Sequence, residues 1–128
     1  MKKENSHKVV VLFEVKPTPA GSHRYLELAA ELKGLLAGAK GFIRAERFAS
    51  LNEDGKLLSM NIWESEDDVE AWRNTLAHRM CQQEGRANLF ESYRITVACV
   101  IREYSDTSRR QAPEDSNEYF SDSHYDEK

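Results

Sequence analysis

Cysteine is scarce in this chain, with only Cys81 and Cys99 among 128 residues. Two thiols set far apart are too few for a disulfide framework or a zinc site, so both are expected to be reduced and packed in the core. A basic surplus is missing as well. Residues 105–128 hold seven Asp or Glu against three Lys or Arg, while residues 1–104 hold fifteen of each. With no clustered positive stripe, binding to a phosphate backbone has no electrostatic source, and nucleic acid is not an expected partner. No apolar run is long enough to cross a bilayer. The opening segment, Met1 to His7, lacks the hydrophobic stretch of a signal peptide, which makes the cytoplasm the expected location. No internal repeat is visible.

What the chain does contain is one modest core's worth of apolar residues, 40% of the sequence against 31% charged, enough for a single domain. Val9-Val10-Val11-Leu12-Phe13 is a β-branched run within Lys8 to Lys16, closed by Pro17-Thr18-Pro19, and predicts a first strand. From Gly21 to Leu36, Tyr25, Leu28, Ala29, Leu32, Leu35 and Leu36 recur at intervals of three and four. That is a helical stripe, with Gly38 as its stop. Phe42 to Leu51 and Lys56 to Trp63 read as a hairpin around Asn52-Glu53-Asp54-Gly55, whose Asp-Gly pair suits positive φ. Ser65, with Asp68 three residues on, is the N-cap of a second helix whose acidic first turn meets the positive helix end. Leu89 to Tyr104 predicts a long last strand.

The order β-α-β-β-α-β predicts an α+β, ferredoxin-like fold, with four antiparallel strands and both helices on one face. Two helices cover only that face. Because Leu58, Met60 and Ile62 alternate with Ser59, Asn61 and Trp63, the other face needs a second cover, most simply another copy of the chain, and a homodimer is expected. The expected organisation is a flexible N-terminus over residues 1–7, a domain over 8–104 and an acidic, disordered tail over 105–128.

Alternation sets Ser59, Asn61 and Trp63 on one face of a strand. If that face meets the helices, a carboxamide and an indole line the space between the layers, able to hydrogen-bond and stack on a flat aromatic ligand. The plainer reading is that Trp63 is a core aromatic. Val69, Trp72, Leu76 and Met80 form the packing stripe of the second helix. His78 lies about half a turn from that stripe in an unbroken helix, since each residue advances about 100°. A break at Asn74-Thr75 would turn His78 inward as a base or an axial iron ligand; without it His78 faces water. Arg94 and Arg102 on the last strand are expected to pair with Glu46 and Arg44 of the hairpin.

Asn61-Ile62-Trp63-Glu64-Ser65-Glu66, Ala71-Trp72-Arg73, Ala77-His78-Arg79, Gly85-Arg86 and Tyr93-Arg94-Ile95-Thr96-Val97 together resemble the antibiotic biosynthesis monooxygenase family over roughly residues 8–104. The resemblance implies a dimeric α+β barrel of ferredoxin-like protomers, related to the haem-degrading monooxygenases. It implies one of two chemistries: oxygenation of polycyclic phenols without a cofactor, or degradation of a bound haem. The cofactor-free kind has a strand Asn four residues before the Trp and a Tyr six after it, where this chain has Ser59 and Val69; Trp63 matches, and Asn61 is the nearest amide. The haem kind has a Trp nine residues after the strand-end aromatic, matched by Trp72. Its His comes later than His78, and its first-strand Asn falls where Leu12 and Phe13 stand.

The expectation is therefore a small monooxygenase acting on a planar aromatic substrate, with Asn61, Trp63, Trp72 and His78 as catalytic residues and no dedicated cofactor or metal. The alternatives are a haem enzyme with His78 on iron, and a non-catalytic, ligand-binding, stress-associated dimer.

Overall fold

The computed structural model describes residues 7–83 and 89–116, with side chains described over the same ranges except 77–83. The elements run β1 (Val9–Pro17), α1 (Ser22–Ala37), β2 (Phe42–Ala49), β3 (Leu57–Trp63), α2 (Glu66–Gln83) and β4 (Phe90–Cys99). They build the expected α+β, ferredoxin-like layer pair. One antiparallel sheet has the order β2-β3-β1-β4, so the first strand lies in the interior and the last at an edge.

Local chemistry sets the boundaries. Pro17 pairs with Phe90 only after a register shift at Lys16/Pro17, and Thr18 then turns the chain, its Oγ1 accepting the Gly21 N–H at 2.8 Å. The hairpin turn is held by Ser50, whose Oγ accepts the Asn52 and Glu53 N–H groups at 3.1 Å each, and Gly55 takes φ +83°. Gly38 ends α1, its N–H reaching Leu35 O, but at φ −97° it is not the left-handed residue. That role falls to Gly41, at φ +81°, whose carbonyl accepts the Glu64 N–H at 2.8 Å and so ties the α1–β2 link to the end of β3. Ser65 caps α2: its Oγ accepts the Asp68 N–H at 3.3 Å and donates to Asp68 Oδ2 at 2.9 Å.

The pairings sort the strands into two faces. Val9, Val11, Phe13 and Val15 share the helix side with Ser59, Asn61 and Trp63. Val10, Leu12, Leu58, Met60 and Ile62 form the opposite side. Under the helices, Val9, Trp63 and Val69 form one buried cluster, flanked by Leu36, Phe42 and Trp72. Leu28 and Leu89 form a second, flanked by Leu32, Leu76 and Phe90. Val69, Trp72 and Leu76 thus pack as their spacing predicts.

Several expectations are corrected. β4 ends at Cys99 rather than Tyr104. Cys99 is exposed, because it lies on the edge strand and not in the core; the side chain of Cys81 is outside the described residues. Phe90, which strict alternation along β4 would put on the face away from Tyr93, is carried to the helix side by the shift at Lys16/Pro17 and meets Tyr25 and Phe13 with ring centroids 5.7 and 5.8 Å apart. The Arg94 and Arg102 pairing with the hairpin does not form among the described residues, since β2 and β4 are at opposite edges. Residues 105–116 close into local turns: the Ser105 Oγ accepts the Thr107 and Ser108 N–H groups at 3.3 and 3.0 Å, and Arg109 lies 5.2 Å over the Tyr104 ring.

Candidate active site

Asn61 and Trp63 stand side by side on the helix face of β3, as alternation requires. The Trp63 Nε1–H donates to Asn61 Oδ1 at 2.8 Å. An indole is a donor only, so this bond consumes the acceptor end of the carboxamide and leaves its NH₂ group to donate to something else. Trp63 itself is 0% exposed, edge-on to Phe42 at 5.6 Å and tilted against Trp72 at 6.0 Å. The structure therefore brings three of the four expected residues together and divides their roles. Trp63 is a wedge that fixes Asn61 and has no free face to stack on. Trp72 is only half-buried.

His78 is not brought to this group by any break in α2. The helix runs unbroken from Glu66 to Gln83, and Thr75 Oγ1 donates back to the Ala71 carbonyl at 3.3 Å, so it stays within the helix and caps nothing new. Of the two alternatives, the helix therefore takes the unbroken one at Asn74-Thr75. The imidazole of His78 lies outside the described side chains.

Other polar groups share this side. Arg47 and Ser59 are cross-strand partners, and Ala45 pairs with Asn61. Tyr25 of α1 is 7% exposed, and the Arg47 guanidinium is its charged, hydrogen-bonding neighbour. Burial pushes the Tyr25 phenol above its ordinary pKa, and the nearby Arg47 charge and hydrogen bond oppose part of that rise. Arg47 carries no signal in the sequence, and Tyr25 reads there only as part of the α1 stripe. Strict alternation from Phe42 puts Arg47 on the other face, and only the irregularity between Phe42 and Arg44 turns it toward the helices. Among the described residues, no group of three or more His, Cys, Asp or Glu is placed to hold a metal ion, and no helix is long and apolar enough to cross a membrane.

The chain is thus a two-layer α+β domain carrying an indole-locked carboxamide under its helices. The family model for antibiotic biosynthesis monooxygenases matches residues 8–84, and the chain belongs to that family. It is 38% identical over 90 residues to a jasmonate monooxygenase of Pyricularia oryzae, a match covering 70% of this chain but only 42% of that relative. Among solved structures it resembles SnoaB, a cofactor-independent oxygenase from Streptomyces nogalater, with a TM-score of 0.59 at 16% identity, covering 77% of this chain and 97% of that one. It also resembles the heme-degrading protein Rv3592 from Mycobacterium tuberculosis, with a TM-score of 0.54 at 19% identity, covering 79% and 99%. At such identities the two structures share the fold alone with this chain.

Proposed function

We propose that this protein is a monooxygenase that acts on a planar, electron-rich organic substrate without a dedicated cofactor. The observation that carries the reading is the Trp63 to Asn61 hydrogen bond, which presents a fixed amide donor on the helix face of the sheet. A preorganised donor aimed at developing negative charge is what such a reaction needs. Loss of a proton from an anthrone-type phenol gives an enolate, whose oxygen the Asn61 NH₂ holds. The enolate carbon gives two electrons to dioxygen and, with a proton, becomes a ring hydroperoxide; loss of the second C–H proton at that carbon then breaks the O–O bond, leaving one oxygen atom as the ring carbonyl and releasing the other as water. Trp72 offers the aromatic wall. His78 acts as proton acceptor if its ring reaches the substrate, which a His78→Ala variant decides.

Support for the class comes from the family and from the oxygenase activities of the jasmonate relative and of SnoaB. Haem is the cofactor of the alternative reading, and it would need an axial ligand. The group expected to supply it, the His78 imidazole, lies outside the described side chains. The exposed sheet face supports a homodimer: Leu12, Leu58 and Met60 are half-buried there, and Phe48 is 41% exposed.

The test is oxygen consumption with anthrone, in wild type and in Asn61→Ala. A rate above the protein-free rate that falls in the variant supports the reading. A rate equal to that without protein removes it and leaves a ligand-binding module. A Soret shift on titration with haemin would favour the haem enzyme instead.

A further inference from the structure

Among the described residues that the ladders place on the helix side of the sheet, Arg47 is the only one with a permanent charge. Its surroundings are donors. Ser59, its cross-strand partner, offers a hydroxyl. Asn61, diagonal to it at about 7–8 Å by sheet geometry, offers the NH₂ group left free by Trp63. No carboxylate lies within ion-pair distance of Arg47 among the described residues. Arg47 is also not sealed by the helices, for Ala45 and Ala49, which flank it on the same side, are exposed and too small to fill the space above them. On the α1 side, Tyr25 is held between Phe90 and the guanidinium, which limits where the guanidinium can go.

An arginine with no acid, set beside a hydroxyl and an amide that can both donate, and open above small residues, is complementary to an anion with two oxygens. We infer that Arg47 and Ser59 form a carboxylate subsite on the helix face of β2 and β3, next to Asn61, so that the planar substrate carries an acid group besides the oxygen that Asn61 holds. The inference deepens the oxygenase reading and rests on it for the identity of the bound molecule as substrate. Arg47 binds the carboxylate, Ser59 donates to its second oxygen, and the apolar body extends along β3 toward Asn61 and the half-buried Trp72. Tyr25 is a positioning residue that holds the guanidinium.

The probes are anthracene-2-carboxylate and its methyl ester, titrated into the full-length protein and followed by quenching of Trp63 and Trp72 fluorescence. Loss of a charge-assisted hydrogen bond predicts that wild type binds the acid at least about tenfold more tightly than the ester. Arg47→Gln should abolish that preference while leaving the ester affinity within about twofold, and Arg47→Lys should keep part of it. Arg47 is exposed, so both variants should keep the wild-type circular dichroism. A preference that survives in Arg47→Gln, an equal affinity for acid and ester in wild type, or binding of neither probe would overturn the subsite. Oxygen uptake reports separately: an acid preference without oxygen consumption leaves the subsite standing and removes the oxygenase.

Discussion

Asn61 and Trp63, two residues apart on β3, are joined side chain to side chain at 2.8 Å, and the Trp63 ring is wholly buried while its partner is not. One residue belongs to the core and the other to the cleft, so the bond couples stability to the placement of the amide. Asn61→Ala should leave the indole N–H without a partner and cost about 1–3 kcal/mol in urea unfolding. In a Trp63→Phe background the same change should cost markedly less. Equal costs in both backgrounds would show that the bond contributes nothing.

The second expectation concerns Gly41. A β-carbon there would overlap the Asp68 carboxylate that closes the cap of α2, and the backbone sits at φ +81°. Gly41→Ala should lower stability by about 1–3 kcal/mol through backbone strain alone. Asp68→Ala in the same chain should recover only the part of the steric cost that comes from the carboxylate, because the Asp68 Cβ would itself lie 2.7 Å from the new atom. Thermal unfolding of the two single variants and the double variant measures both contributions.

Assembly can be tested at Leu58, which is half-buried on the face away from the helices. Leu58→Glu puts a charge where a second copy would cover it, and light scattering should then report half the wild-type mass. An unchanged mass would rule out this face as the interface. Ile62, on the same side, is only 4% exposed within the protomer, so Ile62→Glu should unfold the subunit and says little about assembly.

Tyr25 gives a pH dependence. Its pKa is raised, first by burial, with Arg47 opposing. A group whose folded pKa exceeds its unfolded value contributes stability that is fully present below the unfolded value, about 10 for tyrosine, and lost as pH rises through the folded one. Melting temperature should therefore be flat in this respect through neutral pH and fall above about pH 10. Tyr25→Phe should flatten that alkaline fall; an identical fall in the variant would assign it to other groups.

Much of the fold was legible because its signals are local. The alternation of Leu57 to Trp63, the stripe Val69-Trp72-Leu76, the Asp54-Gly55 turn and the Ser65/Asp68 cap each lie within a few residues, and each has its counterpart in the structure. The proximity of Asn61 and Trp63 was legible for the same reason. What escaped depended on pairing between distant segments. The irregularity at Phe42/Arg44 decides which way Arg47 points, and the shift at Lys16/Pro17 decides it for Phe90. The first leaves no mark in residue type, and the second is marked only by Pro17, which reads as a strand end. Gly41 was obscured by Gly38, which sits where a helix stop is expected, while the positive φ is imposed three residues later by the link to Glu64.

The sheet order has a consequence for how the chain reaches this state. β1 leaves the ribosome before the other strands of the sheet, yet one of its two neighbours is β4, more than seventy residues later, so its ladder with Phe90–Cys99 cannot close until that strand has been made. The β2–β3 hairpin needs no such wait. During translation Val9 to Val15 must therefore pass through a stage with one unpaired, greasy flank, and that interval is when a nascent copy is most open to capture by a chaperone or by a neighbour on the same message.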